Sequence, residues 1–201
     1  MDKGLIIIIS GPSGAGKGTV VGELVSGGDY ALSISATTRS PREGEQNGIN
    51  YFFKTRDEFE KMIANNDFLE YAEYCGNYYG TPLPYVREKL DKGQNVILEI
   101  EVQGAFKVKE LCHEAVLIFL APPSMKDLEE RLRGRGTETE EKITQRLETA
   151  AKELDLIDNY DYIVINNEIE NAVKDIKSIV TAEKCKLTRN SEFKNILKGV
   201  D

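Results

Sequence analysis

The sequence predicts an α/β fold, a parallel sheet flanked by helices with a smaller mixed α/β unit inserted in it, and three observations carry this expectation. The chain opens on a continuous apolar run, Leu5 to Ile9. It lacks the alternation of a half-buried strand and fits a strand covered on both faces. A glycine-rich turn and a helical pattern follow directly, and strand-then-helix alternation recurs towards the C-terminus. Between about residues 36 and 90 that alternation breaks and short aromatic-rich segments replace it.

Each element has its own signal. Lys17 to Val25 reads as a helix with Val20, Val21, Leu24 and Val25 on one side and Gly27-Gly28 as its stop. In the inserted unit, Tyr51-Phe52-Phe53 and Phe68 to Tyr74 stand out as short aromatic-rich segments, with Glu70 between Leu69 and Tyr71 in a strand-like run. Thr55 and Glu58 form a capping box ahead of Phe59, Met62 and Ile63. Further core strands are expected near Val96 to Ile100, Val116 to Leu120 and Tyr162 to Ile165. Ser124 with Asp127 caps a helix carrying Leu128 and Leu132. Ile143, Leu147, Ala150 and Leu154 keep helical spacing, as do Ile169, Val173, Ile176 and Val180. The polar, glycine-bearing stretch Arg133 to Thr139 reads as a mobile surface loop. The expected layout is a core at 4–35 and 95–184, an insertion at about 36–90 and a C-terminal tail at 185–201, loosely held after Arg189.

A length of 201 residues fits one such unit without disulfides or a structural metal. The net charge of −8 argues against a broad nucleic-acid or anionic-membrane surface, which needs a basic field. No apolar run is long enough to span a bilayer and the N-terminus lacks the length of a signal peptide, so a cytoplasmic location is expected. Cys75, Cys112 and Cys185, with the single histidine His113, suggest neither a disulfide framework nor a zinc site, and are expected to be free buried thiols. Six of the nine arginines fall in two segments: Arg39 and Arg42, then Arg131, Arg133, Arg135 and Arg146. An acidic chain that gathers its guanidiniums this way points to small phosphates as ligands.

The segment Gly11-Pro12-Ser13-Gly14-Ala15-Gly16-Lys17-Gly18-Thr19 sits where a phosphate-binding P-loop must, after a buried strand and before a helix. Its glycines let backbone N–H groups turn towards phosphate oxygens, the helix N-terminus adds positive potential, and Lys17 would reach the β- and γ-phosphates. The common pattern has Ser or Thr after the lysine to ligate magnesium, whereas this chain has Gly18 and brings its hydroxyl one residue later. A Gly-Lys-Gly-Thr ending resembles the adenylate kinase form of the loop. That implies a threonine on the α-phosphate, and a magnesium ion held more by nucleotide oxygens and water.

With this loop go Ser35 to Arg42, Gly48 to Phe53, Gly76-Asn77-Tyr78-Tyr79-Gly80, Gln103-Gly104 and Arg133 to Thr139. Together these motifs resemble the guanylate kinase family from about Gly4 to about Lys184. The resemblance implies transfer of the γ-phosphoryl group of ATP to GMP with Mg²⁺. It implies a clamp on the acceptor phosphate from Arg39, Arg42, Tyr51 and Tyr79, and a guanine pocket from Ser35, Glu70 and Thr81. It further implies a short mobile lid at about 133–140 and closure over ATP by Arg131, Arg135 and Arg146, with Lys17, Arg42, Arg135 and Arg146 as catalytic groups. It puts Glu101 on the GMP side and Glu99 facing magnesium through water. Asn166-Asn167 resembles the family's adenine-side loop.

The types suit these roles. Guanidiniums hold a phosphate bidentately, phenols add neutral donors, and a carboxylate can accept from both the N1–H and the 2-amino group of guanine. Strand alternation alone would instead make Glu70 an outward-facing surface residue. Spacing by two puts Glu99 and Glu101 on one face at the end of a strand. Two other readings are weighed: a non-catalytic guanylate-kinase-like binding module and a P-loop GTPase. The first is marked by lost phosphate-binding residues, which are present here. The second needs an Asn-Lys-x-Asp signature, which is absent. No motif speaks to oligomeric state.

Overall fold

The computed structural model describes residues 4–74, 76–134, 139–191 and 193–199, with nothing said of the Tyr74, Lys194, Asn195 and Leu197 side chains. In chain order the elements begin β1 (Ile6–Ser10), α1 (Lys17–Ser26), β2 (Tyr30–Leu32), β3 (Ala36–Thr37), β4 (Phe52–Phe53), α2 (Arg56–Ala64), β5 (Phe68–Tyr74), β6 (Asn77–Pro82) and α3 (Leu83–Asp91). They continue β7 (Asn95–Glu99), α4 (Val102–Leu111), β8 (Val116–Ala121), α5 (Met125–Gly134), α6 (Glu140–Leu154), β9 (Tyr162–Ile165), α7 (Ile169–Lys184) and α8 (Phe193–Lys198).

A five-stranded parallel sheet runs β2-β7-β1-β8-β9. Its central strand explains the unbroken apolar run. Ile7 and Ile9 point into a cluster with Val20, Leu24 and Val173, under α1 and α7. Ile6 and Ile8 point into another with Val86, Ala105 and Val108, under α3 and α4. Both faces are dry, so neither set of alternate positions can be polar.

The second sheet, β4-β3-β6-β5, is mixed: β3 lies parallel to β4, while β6 runs antiparallel to both β3 and β5. The capping box forms as expected, with Thr55 Oγ1 accepting from the Glu58 N–H at 3.2 Å and Glu58 Oε2 accepting from the Thr55 N–H at 2.7 Å. Phe59 lies stacked between Phe68 and Tyr78 and fixes α2 on this sheet. α5 and α6 share their own apolar seam of Leu128, Leu132, Ile143 and Ala150. Ser124 caps α5 by accepting from the Asp127 N–H at 3.1 Å.

Two expectations need correction. Glu101 is not a strand residue: β7 ends at Glu99, and Glu101 is the extended N-cap of α4, so strand alternation does not relate the two acids. The cysteines are not buried: Cys185 is exposed and Cys112 is half-buried, both as free thiols, and Cys75 lies outside the described residues. After α7 the chain is held as far as Arg189, with the buried Glu183 accepting from the Tyr162 hydroxyl at 2.6 Å and from Arg189 at 3.2 Å. Residues 135–138, the centre of the expected lid, lie outside the described residues.

Candidate active site

The site begins where β1 ends. Ser10 is buried there, its hydroxyl on that of Tyr160. Residues 11–16 then turn through left-handed Gly11, Gly14 and Gly16 before α1 starts. At two of these positions only glycine fits. A Cβ on Gly11 would lie 2.2 Å from the Leu120 carbonyl oxygen, and one on Gly16, at φ 92°, would lie 2.4 Å from Asn166 Nδ2. The bend at Gly14 rests on Leu128 and Leu132 of α5. The loop is thus gripped by β8 and the β9–α7 turn at its base and by α5 at its tip. No side chain caps α1, which leaves its first amides and their dipole for an anion.

Three expected cations converge on this loop. Lys17 Nζ curls back over it, donating to the Gly11 carbonyl at 2.5 Å and the Pro12 carbonyl at 3.2 Å. Arg131 donates to the Asn166 carbonyl at 2.8 Å and, more weakly, to that of Ala15 at 3.5 Å. Arg146 reaches from α6 to the Ser13 hydroxyl. Gly14, Gly16, Thr19 and Arg131 share a pocket of about 290 Å³ with Asn166 and Asn167. Arg135 lies outside the described residues.

The arginine and tyrosine group forms a second cluster on the mixed sheet. Tyr51 and Tyr79 meet edge to face at 6.1 Å, and the Arg39 guanidinium lies 5.4 Å from the Tyr51 ring centre. Glu45 ties the group together. Its Oε1 accepts from Arg39 at 2.9 Å and its Oε2 from the Arg42 N–H at 2.7 Å. The Arg39 contact foremost, with the Arg42 amide, holds the Glu45 carboxyl below the usual range. The Arg42 side chain itself is exposed. Ser35 stands just before β3, its carbonyl accepting from the Phe52 N–H at 2.9 Å.

Glu70 does not face outwards. α4 packs on β5 and covers it, and a Cβ on Gly104 would lie 3.6 Å from Glu70 Oε2. The buried Thr81 hydroxyl donates to Glu70 Oε1 at 2.8 Å. Burial pushes the Glu70 carboxyl up, against the Thr81 hydroxyl, the charge of Lys107 and the Thr81 amide. Between this pair and the loop stand the acids of β7 and α4. A Cβ on Gly18 would lie 3.9 Å from Glu99 Oε1. Desolvation in the cleft holds the Glu99 carboxyl above the usual range although solvent reaches the residue, with Lys17 opposing and Glu101 adding.

Sequence reasoning missed two acids here. Glu153 of α6 has a buried Oε2 without a hydrogen-bond partner among the described residues, and its carboxyl is raised by burial and by Glu101, against Lys17. A signal existed, because Glu153 lies two helical turns after Arg146 and so shares its face. Glu45 carried no such signal, since its role depends on a loop fold rather than a period.

Comparison with known proteins agrees with this geometry. A family model described as guanylate kinase matches residues 3–183. A guanylate kinase of Shouchella clausii (strain KSM-K16) is 57% identical over 189 residues, covering 94% of this chain and 92% of that protein. One of Bacillus subtilis (strain 168) is 55% identical over 190 residues, covering 94% and 93%. The crystal structure of guanylate kinase from Anaplasma phagocytophilum superposes with a TM-score of 0.73 at 37% identity, covering 94% of this chain and 90% of that one. A model match along nearly the whole chain and relatives at more than half identity reach beyond a shared fold: the chain belongs to the guanylate kinase family.

Proposed function

We propose that the two clusters are the donor and acceptor sites of one reaction, in which the chain transfers the γ-phosphoryl group of ATP to GMP, giving ADP and GDP. The observation that carries this reading is the line of groups from the uncapped α1 N-terminus and Lys17, past Glu99 and Glu101, to the buried Glu70–Thr81 pair. It joins a phosphate cradle to a pocket that complements the N1–H and 2-amino edge of guanine.

In this reading residues 11–19 and Arg131 hold ATP. Arg39, Arg42, Tyr51 and Tyr79 grip the acceptor phosphate, while Ser35, Glu70, Thr81 and Glu101 hold the rest of GMP. Residues 36–90 make up the GMP-binding unit, 133–140 the lid, and 185–201 a C-terminal tail. The acceptor phosphate is already anionic near neutral pH, so no general base is needed. The work left is alignment, and positive charge from Lys17, Arg42, Arg135 and Arg146 on the moving group. Closure of the arginine-bearing segment excludes water, which would otherwise hydrolyse ATP.

The donor set suits Mg²⁺, since the described acids Glu99 and Glu101 offer hard carboxylate oxygens. Among the described residues no three acidic, histidine or cysteine side chains converge to hold a metal by themselves. In this reading Glu99 faces the ion through water and Glu101 is turned to the acceptor. The ion would supply charge neutralisation across the β- and γ-phosphates. Among the described residues no helix is long and apolar enough to cross a membrane, and the cytoplasm is the proposed location. A non-catalytic binding module would not need Lys17, Arg131 and Arg146 gathered on one loop.

The deciding assay is ADP formation from ATP with GMP, AMP, CMP and UMP offered separately. GMP should be used at least about a hundredfold better in kcat/KM, as expected when a mismatched base leaves buried polar groups unpaired. Equal use of AMP would overturn the acceptor assignment.

A further inference from the structure

Asn166 follows β9, and its side chain, 4% exposed, turns back under the phosphate loop. Nδ2 donates to the Ala15 carbonyl at 2.7 Å, and the backbone N–H is fixed by the Ala121 carbonyl at 2.8 Å. The Asn166 carbonyl accepts from Arg131 at 2.8 Å, and the same guanidinium lies 3.5 Å from the same Ala15 oxygen. The glycine at 16 leaves room for this amide and for nothing larger. A peptide unit is planar and its C=O and N–H point opposite ways. Pinning the Ala15 carbonyl outwards therefore turns the Gly16 N–H inwards, to the hollow of the loop.

We propose that Asn166 is a positioning residue for ATP, fixing the Ala15–Gly16 peptide and Arg131 in register with each other. The proposal rests on the loop being the ATP site. One buried amide, remote in sequence, then aligns two parts of that site, the cradle amides and the arginine at the stem of the lid. Its side chain is spent on the protein itself, which leaves nucleobase contacts at this turn to the neighbouring residues of the pocket.

The test uses the full chain with Asn166→Asp, which keeps shape but replaces the donor by an oxygen, and Asn166→Ala. KM for ATP and for GMP, kcat, ATP binding by calorimetry and the thermal midpoint would be measured. KM for ATP should rise about tenfold or more in both variants, the scale of a buried carbonyl left unpaired, while KM for GMP stays within about twofold. Combining Asn166→Asp with Arg131→Lys should weaken ATP binding by less than the product of the single effects, because both groups act on the Ala15 oxygen. An unchanged KM for ATP overturns the proposal, and so does an equal rise in both KM values with a lowered thermal midpoint. If the unmodified chain binds no ATP, the assignment of the loop fails first. Should both Asn166 variants fail to fold, Asn166→Ser, which keeps a small polar side chain too short to reach the Ala15 carbonyl, reads the same contact. An ATP-specific loss then supports it, and an unchanged KM for ATP overturns it.

Discussion

Replacing Glu70 by Gln separates recognition from stability at one buried carboxylate. Glu70 Oε1 already accepts the Thr81 hydroxyl, and a glutamine carbonyl can keep that bond. Oε2, on the side of Gly104, becomes an NH₂ group that meets the donors of guanine with another donor. The loss is one hydrogen bond to a charged group, about 1.5–3 kcal/mol, or about ten- to a hundredfold in kcat/KM for GMP. Inosine monophosphate lacks the 2-amino group, so it should lose less, and the preference for GMP over it should shrink. ADP formation with each acceptor in parent and variant reads this directly; an unchanged preference would refute recognition of the 2-amino group by Glu70.

The pH dependence has a defined sign. Burial raises the Glu70 carboxyl in the folded chain, so the folded state holds this proton more tightly than the unfolded one. From the ordinary carboxylate range upwards, stability falls as pH rises, until the raised value is passed. Glu70→Gln has no such loss, and its ligand-free thermal midpoint at neutral pH should exceed that of the parent. GMP binding in the parent should weaken as pH falls through the raised value, because the carboxylate is the form that accepts.

Two further outcomes follow from the loop. Lys17→Met should lower kcat by at least about a hundredfold while calorimetric GMP binding is kept, since Lys17 sits on the loop and not in the acceptor cluster; retained turnover would sink its catalytic role. Gly18→Ser should fold normally, because Gly18 is not in the left-handed region and the nearest atom to a new Cβ is Glu99 Oε1 at 3.9 Å. It should also shift the Mg²⁺ concentration for half-maximal rate, and an unchanged profile counts against Glu99 facing the ion.

What was legible in the sequence was what depends on local period and local caps. β1, α1 and β9 stand where their apolar patterns put them, and the Thr55–Glu58 box formed as written. β2, β3 and β4 were not legible, because strands of two or three residues are defined by remote partners rather than by their own pattern. Glu70 was misjudged by alternation for a related reason: the outer face of its strand is turned onto α4, and no local signal reports a covering helix. Glu101 was placed on a strand because a pattern of two looks alike in a strand end and in the extended residue before a helix.

The order of pairing in the two sheets has a consequence for biosynthesis. β1 leaves the ribosome before the other strands and is strongly apolar, yet Ile6 pairs with Val96 and Ile7 with Val116. Until those residues are made it has no partner, an exposed strand of the kind that invites association between nascent chains. The mixed sheet is the opposite case, since β5 and β6 form a tight hairpin, from Phe68↔Pro82 to Tyr74↔Asn77, that can close as soon as it is synthesised. Low contact order favours early formation. The mixed sheet is thereby built largely from local chain, and the parallel sheet must wait for most of the protein to exist.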